Sequence, residues 1–297
     1  MHKTLLVVTG PTAVGKTALS ISLAQHYQTE IISTDARQFY KEMNIGTAKP
    51  SAAEMGSIKH HFINNQTIHH LYSAGEFEKE ALGSLHHLFK LHDLVIAVGG
   101  SGLYLKALCE GLDDMPDADL VLREELKALF KNEGIKPLQE QLKELDPVKW
   151  LTIDWQNPQR LMRAIEIAKQ KKVPVQPKKL RHFKIIKAGL QMERTALYSG
   201  INSRVDKMMH DGLLQEAETL FVHRELNALQ TVGYTELFKY LEGKITLEAA
   251  VGLIKQHTRN FAKRQITWLS KDKEISWFDP IKTDLILEWI TAESLKH

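Results

Sequence analysis

The chain has 297 residues, 43% hydrophobic and 25% charged, with a formal net charge of +3 and a single cysteine. Those values describe a globular protein with room for one large domain or two modest ones. There is no apolar run of the roughly 18 residues a membrane helix needs, no basic-then-apolar leader and no second cysteine for a disulfide or a cysteine zinc site. Membrane-spanning, secreted and disulfide-framed classes are therefore set aside, and the cytoplasm is the expected location.

The first element is a buried strand over 5–9, short, apolar and closed by Gly10-Pro11. It runs into Gly10-Pro11-Thr12-Ala13-Val14-Gly15-Lys16-Thr17, and a helix over 16–27 follows, spaced by Leu19, Leu23 and Tyr27. Strand, glycine-framed loop and helix in that order make a phosphate-binding loop. The glycines let backbone N–H groups turn inward around an anion, and the helix adds its positive end. Lys16 supplies a point charge and Thr17 an oxygen for Mg²⁺.

A second short strand spans 30–34 and ends at Asp35, and a third spans 93–100. A nucleotide hydrolase would close such a strand with an aspartate that holds Mg²⁺. Here the strand ends in Gly99-Gly100-Ser101-Gly102, without an acid. The nearest acid placed to serve the loop is Asp35, since the carboxyl ends of parallel strands face the ligand crevice; a helix N-cap is its alternative role. A fourth strand is expected over 183–192. Strands alternating with helices indicate an α/β fold, a P-loop NTPase-like parallel sheet flanked by helices.

Between these strands the pattern is helical only, with helices over 118–132, 135–145 and 158–171 punctuated by Pro116, Pro147, Pro158, Pro174 and Pro177. The expected organisation is a core over 1–113, a helical insertion domain over 114–181, and completion of the core over 182–297 by a strand and C-terminal helices at 202–222, 233–242 and 246–269. From Asn157 to Lys187 there are ten lysines and arginines against the one acid Glu166. On an otherwise slightly acidic chain that stretch reads either as the footprint of a polyanion partner or as a solvated basic face.

Seven segments occur in order: GPTAVGKT (10–17), DARQFY (35–40), IGTAKP (45–50), VGGSGLYLKAL (98–108), NPQRLMRAIE (157–166), VGYTEL (232–237) and TRNFAKRQITWL (258–269). Together they closely resemble the tRNA dimethylallyltransferase (tRNA isopentenyltransferase) family of the bacterial type, which lacks the C-terminal zinc finger of eukaryotic relatives. The resemblance runs from about Thr4 to Trp268. It implies that the loop grips the diphosphate of dimethylallyl diphosphate, with Mg²⁺. The allyl group then passes to N6 of the adenosine on the 3′ side of the anticodon.

The resemblance assigns the general base to Asp35 and contact with the reacting groups to Ser101, where the family usually has Thr. It assigns Lys16 and Arg204 to the diphosphate, a surface ion pair being the alternative for Arg204. Residues Asp35, Ala36, Arg37 and Gln38 match the segment that receives the flipped base, with Gln38 on the base edge and Ala36 where the family often has Ser. Gln159, Arg160, Leu161, Met162 and Arg163 match a tRNA-contact segment, and Arg123 is a weaker match. On the C-terminal helix Lys255, Arg259 and Lys263 repeat at four and are read as phosphate contacts. Ile254, Phe261 and Trp268 repeat at seven and are read as core. The expected partners are the tRNA anticodon stem-loop and dimethylallyl diphosphate, and the chain is expected to be a monomer.

Three other readings stand beside this one. An enzyme prenylating free AMP, ADP or ATP would share the loop but need no extended basic surface. A small-molecule kinase would share it too. A non-catalytic RNA-binding module would leave the Lys16, Thr17 and Asp35 set without a use. The histidine pairs His60-His61 and His69-His70 are not read as a zinc site, because neighbours on a strand point apart and no cysteine accompanies them.

Overall fold

The run TLLVVT forms β1 (Thr4–Thr9), with every residue buried, in a computed structural model that describes residues 3–113, 115–116, 119–170 and 180–296. A strand buried on both faces has no polar side to alternate with, so its sequence is continuously apolar. The other strands are β2 (Ile31–Ser33), β3 (His60–His61), β4 (Leu94–Val98), β5 (Lys184–Leu190) and β6 (Ile275–Phe278). They form one six-stranded sheet in the order β3-β2-β4-β1-β5-β6. Every pairing is parallel. The register positions the site: Val8 of β1 and Ser33 of β2 both align with Val98 of β4. The three chains therefore leave the sheet at one edge, side by side.

The chain divides into two units, Met1–Gly111 with Leu180–His297, and Leu112–Lys179. In the first unit α1 (Lys16–His26), α2 (Ala52–Met55), α3 (Ala74–Leu91) and α4 (Gly102–Glu110) follow the first strands. Helix α3 starts in a capping box, with Ser73 accepting from the Glu76 N–H and Glu76 accepting from the Ser73 N–H. Its buried residues Ala74, Phe77, Ala81, Leu85 and Leu88 lie on one face.

The second unit consists of α5 (Leu120–Glu133), α6 (Lys136–Leu145), α7 (Pro147–Trp150) and α8 (Pro158–Lys169). Leu126, Leu138, Leu142, Leu161 and Ile165 make its core. Glu166 is fully buried beside them. It is held by Arg123 through two hydrogen bonds of 2.6 and 2.7 Å and by Arg163 at 3.0 Å. Trp150 packs on this core, whereas Trp155 is half exposed.

In the first unit the chain then adds α9 (Arg194–His210), α10 (Leu213–Leu220), α11 (Tyr234–Leu241), α12 (Leu247–Leu269) and α13 (Thr283–Leu295). The single helix expected over 202–222 is two helices. Gly212 takes φ +106°, a left-handed conformation that stops α9 and opens α10.

Candidate active site

The phosphate loop is built as its spacing requires. Gly10 has φ +142°, and a Cβ there would lie 2.5 Å from the Leu190 carbonyl oxygen. Gly15 has φ +97°. Neither position accepts a side chain without displacing β5 or straining the turn. Lys16 begins α1, and its ammonium donates to the carbonyls of Gly10 (3.0 Å) and Pro11 (2.7 Å). Burial first, and then the nearby Arg204, lower its pKa to about 7, against the raising pull of Asp35. A desolvated Lys16 beside Arg204 either gives up its proton or binds an anion, and an anion restores its charge.

Asp35 leaves β2 at the same edge. Its Oδ1 accepts the backbone N–H of Arg37 (2.9 Å) and of Gln38 (3.3 Å). No helix follows Asp35 among the described residues, so these bonds hold a turn with one carboxylate oxygen and are not the helix N-cap considered for it. Oδ2 has no donor among the described residues, and Asp35 lines the pocket described below. Burial raises the Asp35 pKa, against the lowering pull of the Arg37 amide and of Lys16. That combination suits a proton acceptor.

Ser101, at the start of α4, accepts the Ala36 N–H at 2.9 Å, which leaves its hydroxyl proton for another partner. The glycines before it answer to crowding: a Cβ on Gly99 would sit 2.2 Å from Thr34 Oγ1. Arg204 comes from α9 and donates to Thr12 Oγ1 at 3.3 Å. It lines the cavity described next, and among the described residues no ion pair within 4 Å engages it.

These groups open into a cavity of about 540 Å³. Thr12, Asp35, Ser101 and Arg204 form its polar end, and Val205, Met208, Leu213, Val232 and Ile254 form an apolar wall. Phe261 and Trp268 also line it, each more than a third exposed. Their assignment to the core is thus corrected for these two and holds for Ile254, which is 2% exposed. Thr258, Phe261, Gln265 and Trp268 form one stripe along α12, and that stripe faces the cavity.

Gln38 is placed elsewhere. Its Nε2 donates to the carbonyls of Thr47 and Ala48, both at 3.3 Å, tying two loops together. It does not line the cavity, so a role on a base edge is not supported.

The basic residues also sort themselves. Leu161 is fully buried and Met162 is 6% exposed, so their side chains belong to the core of the second unit and not to a nucleic-acid face. Arg123 and Arg163 are committed to Glu166, and Arg163 also donates to the Pro116 carbonyl at 2.5 Å. Arg160 and Gln159 are exposed, with Asp154 at 3.6 Å from Arg160. Farther along, Arg181 is buried against Glu78 and the carbonyls of Ala107 and Leu108. Lys187 is shared by Asp272 and Glu274, which hold its pKa up at about 12. Lys171, Lys172, Lys178 and Lys179 lie outside the described residues. On α12, Lys255 pairs with Asp206 and Arg259 donates to Asn202, both on α9, while Lys263 is exposed. The repeat at four is thus mostly an α9–α12 clamp.

Comparison with known proteins agrees with this geometry. The family model described as IPP transferase matches residues 38–272. The tRNA dimethylallyltransferase of Flavobacterium johnsoniae is 49% identical over 288 residues, covering 93% of each chain. That of Christiangramia forsetii is 49% identical over 284 residues, covering 94% of each. Among solved structures, the tRNA isopentenylpyrophosphate transferase of Bacillus halodurans superposes with a TM-score of 0.74 at 35% identity, covering 98% of this chain and 97% of that one. The loop, the acid beside it and the near-full-length likeness lead to one conclusion: the chain belongs to the tRNA dimethylallyltransferase (IPP transferase) family.

Proposed function

We propose that this chain transfers the dimethylallyl group of dimethylallyl diphosphate to N6 of the adenosine 3′-adjacent to the anticodon of tRNA, releasing diphosphate. The observation that carries the reading is the meeting, in one cavity, of the Arg204–Thr12 side of the anion loop with an unengaged oxygen of Asp35. An ordinary phosphate loop has no need of a buried base facing an apolar wall; an allylic transfer needs both.

In the reaction the allylic C–O bond breaks as the C–N bond to N6 forms. Negative charge grows on the leaving diphosphate, where the loop amides, Lys16 and Arg204 lower the energy of the transition state more than that of the bound donor. The proton on N6 passes to Asp35 Oδ2, and the released diphosphate keeps the electron pair of the broken bond. Ser101, which keeps its hydroxyl proton, donates to the reacting groups, and Arg37 beside it faces the same space.

The residues also suit Mg²⁺. Thr17 is half-buried in the first turn of α1, and among the described residues no group of three metal-ligating side chains exists. Mg²⁺ is commonly held by one or two protein ligands, with phosphate oxygens and water completing the shell. Thr17 would supply the protein ligand, and the ion would supply further charge neutralisation on the diphosphate.

An adenosine must leave its stack to reach such a cavity, and a partner of that size needs contacts beyond it. Arg160 and Gln159 on α8 and Lys263 on α12 are exposed and available to phosphate; such contacts position the tRNA without reading its bases. The second reading, prenylation of free adenine nucleotides, uses the same cavity without them. The test is incubation with labelled dimethylallyl diphosphate and Mg²⁺, offering unmodified tRNA or AMP in separate reactions. Label in tRNA at the anticodon-adjacent adenosine is expected, and label in AMP alone would replace this reading with the second.

A further inference from the structure

We infer that Gln265 is a positioning residue of the transfer site, locking the phosphate loop, the loop that carries Ser101 and the wall helix α12 into one rigid unit; the inference rests on the transferase reading above. Gln265 sits on α12 and is 8% exposed. Its Oε1 accepts the Thr12 N–H at 2.8 Å, and its Nε2 donates to the Gly100 carbonyl at 3.0 Å. The orientation of the amide is dictated by chemistry, because one partner can only donate and the other can only accept.

Both partners lead directly to the reacting groups. Thr12 continues through its hydroxyl to Arg204. Gly100 precedes Ser101, which holds the Ala36 N–H next to Asp35. One side chain thus sets the distance between the diphosphate end of the site and the end that accepts the proton. The glycine at position 100 belongs to the same device: a Cβ there would lie 2.3 Å from Gln265 Nε2 and 3.0 Å from the Gly10 carbonyl oxygen. Any larger residue would push the amide out of the place where it reaches both loops.

The neighbours of Gln265 on its stripe, Phe261 and Trp268, line the cavity. A Cβ on Gly102 would meet the Trp268 ring at 2.4 Å, so this helix is also seated against the start of α4. Among the described residues, Thr9 also reaches Gly99, but from β1, below the phosphate loop and not within it.

The decisive variant is Gln265→Glu, which keeps size and shape. An ionised carboxylate still accepts from Thr12 but confronts the Gly100 carbonyl oxygen with no proton to give. When protonated it donates again, and its burial raises the pH at which it does so. The charged and titratable groups facing the cavity are Asp35, Tyr104, Arg37, Arg204 and Arg264, with Lys16 behind the loop. They are common to variant and wild type, so the ratio of the two rates at each pH removes the titrations that the two proteins share.

Single-turnover transfer from labelled dimethylallyl diphosphate to tRNA, between pH 6 and 8, should give a Gln265→Glu to wild-type ratio that climbs about tenfold on acidification. Gln265→Ala should transfer about 10²-fold more slowly, the scale of a small misplacement of reacting groups, with unchanged tRNA affinity and a pH-independent ratio. A folded Gln265→Ala that transfers at the wild-type rate overturns the inference. If that variant does not fold, Gln265→Glu decides: slowed transfer at pH 8 with unchanged tRNA affinity supports the inference, and the wild-type rate throughout pH 5–9 overturns it. A wild-type chain that transfers nothing to tRNA removes the transferase reading, and this inference with it.

Discussion

Lys16 shows how one residue prepares the site for its ligand. Its ammonium leans on the carbonyls of Gly10 and Pro11, while burial and then Arg204 bring its pKa down to about 7. A bound diphosphate favours the charged form and raises that pKa. Above pH 7 the free protein has lost part of this proton, and donor binding must take it back. Affinity for dimethylallyl diphosphate should therefore weaken as pH rises above 7, by at most about tenfold per unit for one linked proton. Calorimetry at pH 8 in buffers of different ionisation enthalpy should show uptake of up to one proton per donor bound. Heats independent of buffer would contradict the assignment. The phosphate loop with Lys16, and Asp35, were legible in the sequence because they follow strand ends that a parallel sheet brings together, whereas Ser101 came from the resemblance.

At the scale of elements legibility falls, and the causes are physical. Linear charge counting placed Arg163 on a basic face and the resemblance matched Arg123 to a tRNA contact, yet both turn inward to Glu166, Arg123 from α5 and Arg163 from within α8. Spacing at seven correctly put Ile254, Phe261 and Trp268 on one side of α12, but periodicity does not distinguish a core from a cavity wall. Gln265 left no trace as an isolated residue, since its two partners lie 165 and 253 positions away. Strand β6 has only four residues, too few to establish a pattern. Helix α3 was not among the expected helices, although Ser73 and Glu76 form its capping box. The two kinds of arginine should respond differently to mutation. Glu166→Ala leaves two arginine side chains without their buried partner and should destabilise the second unit by about 3–5 kcal/mol, seen as a lowered urea midpoint and faster proteolysis between residues 112 and 179. Arg160→Ala should leave the urea midpoint unchanged while weakening tRNA binding and flattening the log–log salt dependence by about one unit. An Arg160→Ala variant that binds tRNA normally would make that face merely solvated.

For the whole molecule, the parallel sheet carries the phosphate loop, Asp35 and the Gly99–Ser101 loop on one edge, and α9 and α12 close that edge with Arg204, Gln265 and an apolar wall. A loop type that serves nucleotide hydrolysis elsewhere is here joined to a buried carboxylate and a cavity with an apolar wall, with no acid ending β4. No helix among the described residues is long and apolar enough to cross a membrane. The proposed mechanism requires Asp35 to act on the same substrate pair that the loop holds. The most direct test is single-turnover transfer by Asp35→Ala, measured with tRNA binding on the same preparation. Transfer should fall by about 10²–10⁴-fold, the range for losing a general base, while tRNA affinity stays within a few-fold of wild type. A variant that transfers the allyl group at near the wild-type rate would contradict the role given to Asp35.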